Sequence, residues 1–133
     1  MLHERDPILT LICDKLKVRD YIASRIGTDQ LIPLLWSGKD PNDIPFSDLP
    51  DRYVIKANHG SGFNIIVTDN MKLDVSDAKN KLKKWLKINF GSDKYLGSAW
   101  GYRNIIPAIM VESFITESGE IPVDYKFYCF SGR

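Results

Sequence analysis

An α+β fold is expected from three features of the sequence. Two β-rich runs, residues 53–57 and 64–68, flank the small-residue loop Asn58-His59-Gly60-Ser61-Gly62, so residues 52–68 read as a hairpin. Apolar residues recur at helical spacing after Asp6-Pro7, across 18–26 and across 75–89. Two further strand-like runs, 108–115 and 123–130, lie toward the C-terminus, and no internal repeat or low-complexity segment interrupts the pattern.

The elements follow in order. Asp6 reads as an N-cap with Pro7 at the first helical position, and Ile8, Leu9, Ile12 and Leu16 follow at helical spacing. A second helix over 18–26 places Val18, Tyr21, Ile22 and Ile26 on its apolar face, and Gly27 supplies the stop. Residues 31–36 form a short apolar run that Pro33 confines to a sheet edge. Residues 37–51, with Pro41, Pro45 and Pro50, read as a loop with one helical turn over 46–49. After the hairpin, Thr68-Asp69-Asn70 is a turn. Asp74 then caps a helix over 75–89 whose buried stripe is Val75, Ala78, Leu82, Trp85 and Leu86. Lys79, Lys81, Lys83, Lys84 and Lys87 face elsewhere. They read as a solvated face in preference to a patch for an acidic polymer, since cations late in a helix also suit its dipole. Residues 91–107 are irregular, with Tyr95, Trp100 and Tyr102 covering the core; stacking on sugars or bases is the less favoured reading of these rings. In the run 123–130, Asp124, Lys126 and Tyr128 share one face and Val123, Tyr125, Phe127 and Cys129 the other.

Composition bounds the rest. The chain has 133 residues, 44% of them hydrophobic, which suits one domain or part of a larger one. A net charge of +1 gives no argument for nucleic acid or a membrane surface. Cys13 and Cys129 have no metal or redox spacing, so reduced thiols in a cytoplasmic protein are expected. The N-terminus is no signal peptide, and no apolar run approaches the ~20 residues of a membrane helix. The strand 123–130 followed by Ser131-Gly132 reads as a hairpin cut at its turn, so a truncated chain is expected.

The hairpin carries the chemistry. Alternation puts Tyr53, Ile55 and Ala57 on one face and Val54 and Lys56 on the other. A lysine on an apolar face, at a strand end beside a glycine loop, calls for an anionic partner or a route to water. The two loop glycines allow close backbone approach to a phosphate, although the Gly-Lys-[Ser/Thr] ending of a Walker A loop is absent. Lys56 with this loop, Glu112 on the strand 108–115, and Asp124 and Lys126 on the last strand each have a bland reading as surface charge. Their order along the chain favours a common site.

With Lys17-Val18-Arg19-Asp20-Tyr21, Leu31-Ile32-Pro33-Leu34-Leu35, Val54-Ile55-Lys56-Ala57-Asn58-His59-Gly60-Ser61-Gly62, Ile105-Ile106-Pro107 with Glu112, and Asp124-Tyr125-Lys126-Phe127-Tyr128-Cys129-Phe130, the chain resembles the TupA-like ATP-grasp proteins, found among bacterial surface-polysaccharide genes. The resemblance implies the nucleotide-binding lobe of an ATP-grasp fold over residues 1–121 and the first strand of a truncated second lobe over 122–133. It implies ATP and Mg²⁺ as cofactors. Lys56 would contact the α- and β-phosphates, and His59, Gly60, Ser61 and Gly62 would close over the β- and γ-phosphates as a mobile loop. Glu112, Ser113, Phe114 and Ile115 would receive adenine, and Asp124 and Lys126 would lie near the nucleotide. The activity implied is ligation of a carboxylate, on a glycan or peptide, to an amine through an acyl phosphate. The chain departs from the family in one respect. After Glu112 it offers only Glu117, Glu120 and Asp124 as acids, so metal ligands are expected outside it and the isolated chain is expected to be inactive. Its open 123–130 edge is expected to pair with another copy. A non-catalytic nucleotide- or glycan-binding module, or a glycosyltransferase-associated protein, is the alternative.

Overall fold

The computed structural model describes residues 6–91, 100–116 and 122–123. The expected strand 123–130 with Asp124 and Lys126, its edge pairing, and Tyr95 lie outside the described residues apart from Val123.

Among the described residues, three helices and four strands form an α+β unit: α1 (Pro7–Cys13), α2 (Lys17–Ile26), β1 (Leu34–Gly38), β2 (Tyr53–Ala57), β3 (Asn64–Val67), α3 (Val75–Trp85) and β4 (Ile109–Ser113). Local signals set most boundaries. Asp6 accepts a hydrogen bond from the Ile8 amide at 2.9 Å, with Pro7 opening α1. Asp74 does the same for the Asp77 amide at the head of α3. Gly27, at φ 90°, ends α2 in a conformation that other residues rarely adopt. The strand expected over 31–36 begins after Pro33, as β1, and lies at a sheet edge.

Two local expectations are corrected. The helical turn in the proline-rich loop lies at Pro41–Asp43, where the Asp40 carboxylate caps the Asn42 amide, and residues 46–48 make only a turn closed by Asp48 N–H to Pro45 O. Helix α3 ends at Trp85, four residues short of the expected limit. Beyond it the winding tightens, with Lys87 N–H to Lys84 O and Ile88 N–H to Trp85 O, and the Trp85 carbonyl also faces the His59 ring.

The sheet is antiparallel in the order β1-β4-β2-β3. Strand β4, the last described, is therefore central. Its register sets Val111 beside Ile55 and Ile109 beside Ala57, and β3 sets Val67 beside Tyr53 and Ile65 beside Ile55. These side chains share one face with Leu82 of α3 and form the core together with Ile44, with Trp36, Phe46, Phe63 and Trp85 packed around it. The buried Tyr53 ring reaches out of the core through its hydroxyl, which donates to Asn70 Oδ1 at 2.7 Å. Across the opposite face run Val54, Lys56, Asn64, Ile66, Met110 and Glu112, where α2 lies. A bulge between Leu34 and Trp36 breaks the β1 register directly beside Glu112.

Candidate functional site

The second face of the sheet gathers the charged groups. Glu112 sits opposite Val54, one diagonal step from Lys56, within reach of its long side chain. Lys56 Nζ donates to Glu112 Oε2 at 2.6 Å, and Arg19 Nη1, from α2, donates to Glu112 Oε1 at 2.7 Å. Arg19 Nη2 also donates to the Ile32 carbonyl at 2.7 Å. The Glu112 side chain is 7% exposed, Arg19 15% and Lys56 27%, so exposure rises toward Lys56. A third cation, Lys15, comes from the α1–α2 junction and donates to the Gly60 carbonyl. Burial, then repulsion from Lys56, holds the Lys15 ammonium below its ordinary lysine value. Lys15, Arg19, Lys56 and Glu112 line one cavity of about 270 Å³ with Val18, Ile22 and Met110 among its apolar walls. Three cations thus surround one carboxylate, an excess of positive charge that suits an anion.

A second cleft, of about 320 Å³, adjoins it through Ile32 and Lys56. Val54, Ile66, Phe114, Ile115 and Val123 make its apolar surface, with Asn64, Ser113 and Pro122 at its border. Ile66 is 47% exposed, Ile115 47% and Val123 68%, so these apolar side chains converge on an open slot outside the core. The Arg52 guanidinium covers the Phe114 ring at 4.3 Å.

The glycine loop divides in two. Asn58 is buried and fully engaged. Its Nδ2 donates to Asp14 Oδ1 and to the Ile106 carbonyl, each at 3.0 Å, and its Oδ1 accepts from the Ala108 amide at 2.7 Å. His59 is buried on the core side, with Nε2 3.0 Å from the Trp85 carbonyl and its ring against Phe63. Since a carbonyl only accepts, Nε2 carries the hydrogen. Burial is the main cause that pushes the imidazole below its ordinary value, so it favours the neutral form. Gly60 is also buried, and a Cβ there would lie 2.7 Å from the Phe63 ring. Phe63 itself stacks on Trp85 at 5.3 Å. Of the loop residues 58–62, Ser61 and Gly62 alone are exposed, at the tip, with Gly62 at φ 76°.

The full sequence, residues 1–133, matches the family described as TupA-like ATPgrasp. The chain belongs to the TupA-like ATP-grasp family. No curated protein and no solved structure matches it at significance. For this ATP-grasp chain, Lys56, Ser113, Phe114 and Ile115 border the apolar cleft, and Glu112 turns to Lys56 and Arg19. His59 and Gly60 turn to the α3 side, while Ser61 and Gly62 stand free of them at the tip. Sequence reasoning gave no role to Lys15, to Arg19 or to the anchor between Asn58 and Asp14. Arg19 lay within a quoted motif, but its partner is 93 residues away. Among the described residues, no three His, Cys, Asp or Glu side chains gather as a metal site, and no helix is long and apolar enough to cross a membrane.

Proposed function

We propose that this chain is the ATP-binding portion of a cytoplasmic carboxylate–amine ligase that acts in bacterial cell-surface polysaccharide or peptide-polymer synthesis. The observation that carries this reading is the meeting of an apolar slot and a cation-lined cavity at Lys56. A purine suits the slot between Val54, Ile66 and Ile115, where residues 114–116 run on beyond the end of β4. From there the phosphates would extend toward Lys56 and Lys15, with the tip residues Ser61 and Gly62 above them. Pro122 and Val123 border the slot, which agrees with a nucleotide held between residues 1–121 and a second lobe that begins at 122. Mg²⁺ would neutralise phosphate charge when bound with the nucleotide. The roles proposed for this chain's own residues are binding and orienting ATP.

Calorimetric titration tests the reading. The chain should bind ATP, and Lys56→Ala should weaken binding by roughly 1.5–3 kcal/mol, the range for a hydrogen bond to a charged group. Equal affinity of the two proteins for ATP would reject the phosphate role of Lys56.

A further inference from the structure

We infer that Arg19 is a positioning residue that keeps Lys56 exchangeable by sharing the Glu112 carboxylate with it. The two oxygens of Glu112 are divided, Oε1 to Arg19 at 2.7 Å and Oε2 to Lys56 at 2.6 Å. The two cations are held differently. Arg19 is fixed at two points, by Glu112 and by the Ile32 carbonyl, in the fork geometry that guanidinium alone provides. Lys56 is held through Glu112, is the more exposed of the pair, and borders both cavities. A buried carboxylate must keep a counter-charge. With Arg19 in place that requirement is met when Lys56 departs, and repulsion from Arg19 and Lys15 favours the departure. Without Arg19, Lys56 becomes the one remaining ion-pair partner of Glu112 among the described residues and is retained. The consequence for ATP rests on the proposed function, since Lys56 must pass from carboxylate to phosphate. The electrostatic arrangement itself does not.

A simple stapling role, in which Arg19 only fastens α2 to the sheet, predicts the opposite sign for the reactivity of Lys56. Acetic anhydride acylates only the free amine, and the extent at Lys56 can be read by mass spectrometry of the full chain. In Arg19→Met, Lys56 should acylate several-fold more slowly than in the parent chain. In Arg19→Met/Glu112→Gln the rate should return to the parent rate or exceed it. Faster acylation in Arg19→Met would overturn the proposal, as would a double variant as slow as the single one. If Arg19→Met fails to give the parent circular dichroism spectrum, Glu112→Gln alone decides. Its Lys56 should acylate faster, because the carboxylate is gone and Arg19 and Lys15 remain; an unchanged rate would overturn the proposal. ATP titration supplies the second arm. Arg19→Met should bind ATP about tenfold more weakly, and adding Glu112→Gln should restore most of the loss. A parent chain that does not bind ATP would reject the proposed function and leave the acylation result to decide on Arg19. A parent chain that binds ATP no better than Arg19→Met would reject the exchange role.

Discussion

At the residue scale, Asn58 does the most with one side chain. Its amide and its backbone together join the end of β2 to the α1–α2 junction and to the approach to β4, with Lys15 N–H to Asn58 O at 3.2 Å and Asn58 N–H to Ala108 O at 3.0 Å. Asn58→Ala would leave the Ala108 amide without its side-chain acceptor and the Ile106 carbonyl without its side-chain donor, while Asp14 Oδ1 keeps the Leu16 and Lys17 amides. A loss of roughly 2–4 kcal/mol in urea unfolding is expected, since each buried unsatisfied group costs about 1–3 kcal/mol. His59, the next residue, couples the fold to pH. Its folded-state value lies below the ordinary 6.5, with burial as the main cause. The unfolded chain therefore takes up the proton first as pH falls, and the stability held above about 6.5 is lost on the acid side. Unfolding free energy should be lower at pH 5.5 than at 7.5, and His59→Gln should flatten that difference. A parent-like slope in the variant would assign it to other groups.

At the element scale, the loop of the β2–β3 hairpin is half core and half tip, and its glycines should respond differently. Gly62→Ala meets nothing within 4 Å but retains a positive φ of 76°. It should cost roughly 1–2 kcal/mol, the penalty of a left-handed residue with a Cβ. Gly60→Ala sets a Cβ at 2.7 Å from the Phe63 ring and 3.0 Å from Phe90. It should cost about 1–3 kcal/mol through overpacking and also disturb near-ultraviolet aromatic signals. Parent-like aromatic signals in Gly60→Ala would show that Phe63 is not packed there. Elements of this kind were legible in the sequence where one stretch held the whole cause. The Asp6 and Asp74 caps, the Gly27 stop and the alternation along residues 53–57 needed no distant partner. The burial of His59 was not legible, because a polar residue in a glycine-rich run reads as loop until Trp85 offers it a carbonyl. The early end of α3 has the same origin. Arg19 and Lys15 were missed because their contacts depend on sheet order, which no local periodicity encodes.

At the scale of the whole molecule, the charged face exists because β4 is central. Glu112 stands between a helix that precedes it by 93 residues and a hairpin that precedes it by 56. A charge placed there can be read by both halves of the chain, and the apolar slot opens at the same strand's end. The sheet order also has a consequence for how the molecule is made. Among the described residues, strand β1 pairs only with β4, and β2 reaches β1 only through it. As the polypeptide leaves the ribosome, the hairpin and α3 can assemble early from neighbours in sequence, but the amino-terminal helices and β1 have no sheet to join until residue 113 has emerged. Until then β1 and β2 each keep unpaired backbone groups along the edge that β4 will join. Late insertion of β4 would then be the step that commits the nascent chain, and a chaperone that shields β1 and β2 until then would serve this topology best.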